Sequence, residues 1–394
     1  MTAPSGIGRE ALRRIIAALV VAEARRTRGA GFVPVSGACS WPDAVGFDEA
    51  GIGLDSLDAV HAAAAINGMF HLADAEPDPS VPRTFGAWLD RIGAAQAGGV
   101  ARVTVLTSGS TGRQKPCTHA IADLSDEADH FAGLLADRVR VLAFVPAHHI
   151  YGLIWTALLP ERLDIPVLVA EIAAMPELRY GDLIVAVPDQ WRALLRSGLR
   201  WPDGVIGVSA GAPLDDDLAA GLHAAGLLRL IDVYGSSETG GVAARDAPGG
   251  SYALLPRWRF AEAADVDAAT LLDRSGRLVE LPDGVNRMDD GTFLLTGRRD
   301  GAVQIGGVNV WLGHVAAVLR RCPGVADVAV RMGRAGRMKA FVVPTEEDDR
   351  AVLLNGIKDH ARRMLTAVER PVDYLFGPSI PTDPLGKAVD WSSD

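Results

Sequence analysis

Residues Thr104 to His119 read TVLTSGSTGRQKPCTH, a β-rich run that opens into a loop dense in Gly, Ser and Thr and followed by a lysine. The chemistry such a loop offers is anion binding. Glycine lacks Cβ and tolerates unusual dihedrals, so backbone N–H groups can approach phosphate oxygens closely; Ser and Thr hydroxyls add donors, and Lys115 adds charge. The order G-S-T-G-R-Q-K fits neither the P-loop pattern GxxxxGK[ST] nor the dinucleotide pattern GxGxxG, which argues against a P-loop kinase and a nicotinamide dehydrogenase. Taken alone, the loop is equally well read as a mobile surface connection.

The rest of the chain must position it. With 394 residues and 48% apolar composition the chain can bury a large core, and two or three domains are expected. The net charge of −10 carries no Lys/Arg block, which argues against nucleic acid or an anionic membrane as partner, so an anionic ligand must be met locally. Cys39, Cys117 and Cys322 lie far apart without CxxC spacing, so neither a disulfide framework nor a zinc site is indicated, and a reducing cytoplasm is the expected compartment. The apolar run in LRRIIAALVVAEARR is short and broken by Glu23, so no targeting segment and no membrane span are expected.

Leu12, Ile15, Ile16, Leu19 and Val20 recur at helical spacing over residues 7–27, Asp55 or Ser56 can cap a second helix, and a third begins near Thr84. Residues 1–97 therefore read as all-helical. From Gly98 the pattern changes to short apolar runs, RVTVLTS, RVLAFVP, IPVLVAE, DLIVAVP, GVIGVSAG and RLIDVYG, separated by helix-length segments. Buried parallel strands give such runs, and ligands of open α/β sheets bind at their carboxyl ends. A small α+β domain is expected over 299–394, leaving 98–298 as the α/β core.

The loop TSGSTGRQKPCTH resembles the phosphate loop of the AMP-forming adenylating enzymes, and further segments resemble that superfamily's motifs in its own order: PAHHIYG, VSAGAPL, YGSSETG, LPDG, GRRDGAVQIGG and PTDPLGK. The resemblance spans roughly residues 100–394 and implies an adenylating-enzyme core. By it, Thr107, Ser108, Gly109, Ser110, Thr111, Gly112 and Lys115 would clasp the β and γ phosphates of ATP. Glu238 would hold Mg²⁺, and Thr239 would contact the α-phosphate. Gly211, Ala212, Pro213 and Tyr234 would flank adenine, Asp283 would accept bonds from the ribose hydroxyls, and Arg298 would join the nucleotide contacts. Lys387 would reach the reacting oxygens, and Asp300 would be the hinge of a mobile C-terminal domain. His149, Tyr151 and Gly152 would stand at the mouth of an acyl pocket, with Gly152, Ser209 and Ala210 leaving room for a flat ring and Tyr151 or Trp155 as a stacking wall.

The implied reaction is adenylation of a small-molecule carboxylic acid, aromatic or small and belonging to secondary metabolism, with release of pyrophosphate. Acyl transfer to a thiol follows, either CoA or the phosphopantetheine of a carrier protein. Gln304 and His314 stand where many members have Lys and Glu, which weakens the expectation for the second half-reaction. Amide formation, nitrite activation or a catalytically idle scaffold are the alternatives. The segment FDEAGIGLDSLDAVHAAAAINGMFHL resembles acyl carrier proteins, which implies Ser56 as a phosphopantetheine attachment point at a helix N-terminus. The same serine could equally serve as a cap in a helical prop for a shortened core.

Overall fold

The computed structural model describes residues 6–29, 32, 41–74, 82–107, 115–262, 269–299, 302–305, 308–333, 336–345, 350–381 and 391. They divide into two compact units. One holds the described residues of Met1–Thr107, Lys115–Leu281 and Val285–Leu294, the other those of Pro282–Gly284 and Leu295–Asp394. Among the described residues no helix is long and apolar enough to cross a membrane.

The first unit opens with three helices, α1 (Arg9–Arg28), α2 (Ser56–Phe70) and α3 (Phe85–Ala97). The stripe foreseen on α1 is buried, and Arg25, Arg26 and Arg28 in its last turn complement the helix dipole. Asp55 caps α2 in a reciprocal capping box with Asp58. Asp58 is itself buried, accepts a bond from the Thr27 hydroxyl at 2.6 Å and pairs with Arg28, which fastens the start of α2 to the end of α1. Thr84 caps α3, and Phe85 meets Trp41 edge-on at 5.5 Å.

The run RVTVLTS departs from expectation. It forms β1 (Arg102–Thr107), which joins no parallel sheet but pairs antiparallel with β2 (Lys115–Ala120), in register from Arg102 opposite Ala120 to Thr107 opposite Lys115. The reason is chain length: parallel neighbours need a crossover of about a dozen residues or more, and only residues 108–114 separate these strands. The hairpin thus holds both ends of the Gly/Ser loop one rung apart. The segment 108–114 itself lies outside the described residues.

After α4 (Ile121–Leu134) come β3 (Arg140–Ala143), α5 (Ile150–Gly152), a π-helical stretch Leu153–Leu158, α6 (Leu159–Leu163), β4 (Val167–Val169), β5 (Asp182–Ala186), α7 (Pro188–Arg196), β6 (Ile206–Ser209), α8 (Asp216–Ala224), β7 (Arg229–Ser236), β8 (Gly240–Ala247) and β9 (Ala253–Leu254). The sheet runs β4-β3-β5-β6-β7-β8-β9, parallel through β7 and antiparallel beyond it. Every residue of β5 and β6 is buried, which explains their largely apolar sequences, interrupted only by Asp182 and Ser209 at the strand ends. Arg14 of α1 donates to the carbonyls of Thr156 and Ala157 at 3.0 and 3.3 Å, so the N-terminal helix satisfies acceptors within the π-helical stretch. Strands β10 (Trp258–Phe260), β11 (Thr270–Asp273) and β12 (Leu278–Glu280) form a separate antiparallel sheet.

The hairpin strands β13 (Asp283–Arg287) and β14 (Phe293–Arg298) carry the chain into the second unit. There β15 (Ala302–Ile305) pairs with β16 (Val308–Trp311), and α9 (Leu312–Leu319) and α10 (Arg350–Met364) share a core with the sheet of β17 (Val325–Met332), β18 (Met338–Pro344) and β19 (Asp373–Phe376). That is the α+β arrangement expected of the C-terminal residues.

Candidate active site

The chemistry-bearing segments of the first unit gather where β7 turns into β8. Ser236 N–H donates to the Thr239 hydroxyl oxygen at 3.0 Å, that hydroxyl donates to the Gly240 carbonyl at 2.8 Å, and Glu238 N–H donates to the Ser236 hydroxyl at 3.2 Å. Gly240 sits at φ +69, a conformation open to glycine at little cost. These bonds tighten the turn and leave Glu238 exposed at its tip, while Thr239 is buried. The Thr239 hydroxyl, expected to meet a phosphate, is spent on the turn itself.

Strand β2 presents Lys115, Cys117 and His119 at alternate positions, hence on one face. His119 Nε2 lies 2.7 Å from the Ser237 carbonyl. Burial pushes the Cys117 thiol up from its ordinary value, the Glu238 carboxylate pushes it further, and Lys115 opposes both. Lys115 and Glu238 therefore act on the same point, and the exposed Lys115 ends the rung that closes the Gly/Ser loop. A cation and an anion thus both reach the Cys117 thiol on β2.

The carboxyl ends of β5 and β6 are tied by Tyr151, whose hydroxyl donates to the Val208 carbonyl at 2.8 Å and lies 3.2 Å from that of Ala186. Burial and the nearby Asp232 carboxylate raise its pKa well above the usual tyrosine value, so it stays a neutral donor. Tyr151 is a strand staple held by its hydroxyl. A Cβ on Gly152 would stand 2.1 Å from the Pro146 carbonyl oxygen, so backbone approaches this residue closely. Trp155 is fully buried against Phe131, centroids 4.4 Å apart, and belongs to the core. His149 immediately precedes α5, and its ring lies 4.2 Å from that of His148, whose pKa burial lowers to about 3. Ser209 ends β6 wholly buried with its hydroxyl unpartnered, next to the buried Ala210.

Gly211 follows at φ +84, with Ala212 half-buried and Pro213 exposed. Arg245 holds this segment in place by donating to the Leu214 carbonyl at 3.3 Å and to Asp232 at 2.9 Å. Asp232 also accepts from the Tyr252 hydroxyl at 2.6 Å, and burial raises its pKa. The half-buried Tyr234 stands 5.9 Å from Tyr252 and 6.3 Å from Phe293, ring to ring.

The AMP-binding enzyme profile matches residues 99–280. The chain is 38% identical to a 4-coumarate–CoA ligase of Rhodobacter capsulatus, over 96% of this chain and 100% of that protein. It is 37% identical to a 4-coumarate–CoA ligase of Cereibacter sphaeroides, over 89% of this chain and 86% of the relative. The chain belongs to the AMP-binding enzyme family. As a member it is an AMP-forming acid–thiol ligase. The o-succinylbenzoate CoA synthetase of Bacillus subtilis shares the fold at TM-score 0.57 and 18% identity, over 73% of this chain and 67% of that one.

Of the positions singled out for this AMP-binding enzyme, Lys115, Glu238, Thr239, Tyr234, Ser209, Ala210, Gly211, Ala212, Pro213, His149, Tyr151 and Gly152 all lie in the first unit. Asp283 and Arg298 lie in the second, where Arg299 N–H donates to the Pro282 carbonyl at 2.9 Å and a Cβ on Gly284 would stand 2.4 Å from the Thr296 hydroxyl. Thr107 takes its place in β1, while Ser108 through Gly112, Asp300 and Lys387 fall outside the described residues. Ser56 is the exposed first residue of α2. Four side chains around the Ser236–Gly241 turn carried no motif letter of their own: His119, Glu127, Arg257 and Trp258. Only His119 had any signal, at the end of the loop motif.

Proposed function

We propose that this AMP-forming ligase activates an aromatic carboxylic acid of the hydroxycinnamate kind and delivers the acyl group to CoA. A carboxylate oxygen attacks the α-phosphorus of ATP, the bond to the bridging oxygen breaks and pyrophosphate leaves. The thiol sulfur then attacks the acyl carbon, AMP departs with the bonding pair and the thiol proton passes to solvent.

The observation that carries this reading is that Lys115 of β2 and Glu238 of the β7–β8 turn both bear on one thiol, that of Cys117. Lys115 would neutralise phosphate oxygens, in keeping with catalysis of phosphoryl chemistry by placement and charge. An exposed carboxylate at a turn rich in hydroxyls suits Mg²⁺, a hard cation that binds one or two carboxylates together with substrate phosphates and water. Glu238 would hold it, and the ion would supply charge neutralisation on the phosphates. Gly211–Pro213 and Tyr234 would receive the adenine, and Lys387 would meet the charge that develops on the reacting oxygens. The end-to-end likeness to two 4-coumarate–CoA ligases supports an aromatic acid and CoA as the substrates.

Acid-dependent exchange of pyrophosphate into ATP, followed by thioester formation with CoA, tests this across a panel of cinnamic, benzoic and short aliphatic acids. Hydroxycinnamates are expected to exchange fastest, and exchange is expected to fall by at least 100-fold in Lys387→Ala. Exchange with none of the acids would overturn the reading.

A further inference from the structure

The Ser236–Gly241 turn is held from behind by side chains that no motif names. Gly241 N–H donates to Glu127 Oε2 at 2.9 Å, Arg257 donates to the Thr239 carbonyl at 2.8 Å, Trp258 donates through its indole N–H to the Gly241 carbonyl at 2.8 Å, and His119 lies against the Ser237 carbonyl. The Arg257 guanidinium rests 4.5 Å over the Trp258 ring. Glu127 and Arg257 are both buried, one rising from α4 and the other from the segment before β10.

Sequence and space agree on how closely Glu127 fits. A Cβ on Gly241 would stand 2.2 Å from Glu127 Oε1, and one on Gly240 would stand 3.2 Å from Oε2. The Glu127 carboxylate thus fills the space beside Gly241, while Gly240 meets the positive φ of the turn. A buried carboxylate is costly unless hydrogen-bonded and faced by opposite charge, and here Gly241 N–H and Arg257 supply those partners. Burial still lifts the Glu127 pKa to about 7, the backbone bond and Arg257 pulling the other way.

We infer that Glu127, with Arg257, is the positioning element that fixes the Ser236–Gly241 turn and so sets where the Glu238 carboxylate meets the metal–nucleotide. Glu127 is buried behind the turn. It acts through the Gly241 amide, while Arg257 holds the neighbouring carbonyl of Thr239, so one peptide run is gripped at a donor and at an acceptor. This rests on the ligase reading given above.

The experiment compares wild type, Glu127→Gln and Glu127→Ala. Calorimetric titration with MgATP and the magnesium dependence of pyrophosphate exchange are the readouts, with near-ultraviolet circular dichroism as the folding control. The glutamine keeps an oxygen acceptor for Gly241 N–H and is expected to stay within about threefold of wild type, since neutral hydrogen bonds are weaker by roughly half than charge-assisted ones. Alanine frees the turn. A misplacement on the order of 1 Å costs about 100-fold in turnover, and half-saturating magnesium is expected to rise about tenfold while KM for the acid holds. A folded Glu127→Ala protein with wild-type MgATP affinity and magnesium dependence would overturn the proposal, as would equal loss in Glu127→Gln. If wild type exchanges with no acid, the ligase reading falls and the MgATP titration alone decides the role of Glu127.

Discussion

Glu127 also makes the stability of this enzyme depend on pH in a direction opposite to that of most carboxylates. Its ordinary pKa of 4.5 applies in the unfolded chain, and burial raises it to about 7 in the folded one. Below 4.5 both states hold the proton and the group is neutral toward folding. Between 4.5 and about 7 the unfolded state loses its proton while the folded state retains it, so unfolding is progressively favoured, and above 7 the penalty is constant. At about 1.4 kcal/mol per pH unit the interval amounts to about 3 kcal/mol. Glu127→Gln removes the titration while preserving shape, so its stability relative to wild type should improve by about 3 kcal/mol between pH 4.5 and 8. Urea unfolding followed by tryptophan fluorescence reads this directly: with a urea m-value of about 3 kcal/mol/M, the two midpoints should diverge by about 1 M across that range. Curves that run parallel from pH 4.5 to 8 would refute the argument, because they would mean that the carboxylate ionises inside the fold as readily as outside it.

Gly241→Ala should force the Glu127 carboxylate aside and lower pyrophosphate exchange, and the double variant with Glu127→Ala should lose less than the two single losses combined, measured as a double-mutant cycle. Gly152→Ala drives a methyl into the Pro146 carbonyl, so overpacking should cost about 1–3 kcal/mol by urea denaturation even though the added group is small. Tyr252→Phe removes the bond that faces Asp232 and should cost about 1.5–3 kcal/mol, read from the same denaturation midpoint. Protein whose intact mass shows no pantetheine on Ser56 should still form the CoA thioester, since CoA supplies the thiol itself; dependence of turnover on a mass gain at Ser56 would refute this.

Much of this enzyme was legible before any coordinates. Strands β5 and β6 announce themselves because burial on both faces selects mostly apolar residues, and α1 because its buried stripe repeats at helical spacing. The segments around Lys115, Gly211 and Glu238 stand out by their resemblance to the superfamily's motifs, and the structure supplies part of the reason: glycines at positive φ and a hydroxyl that closes a turn. Sequence alone determined those local requirements.

What it could not determine was partnership. RVTVLTS has the composition of a parallel strand, and only the shortness of the following loop makes it half of a hairpin. Nothing near Tyr151 in sequence records that the carbonyls of Ala186 and Val208 will meet its hydroxyl from other strands. Glu127 reads as one more acid on a solvated helix, because nothing in its neighbours records that the Gly241 amide and Arg257 will close over it. A motif is local chemistry and survives in the linear chain; the groups that aim it stand from 17 to 118 residues away, and they meet it only once the chain has folded.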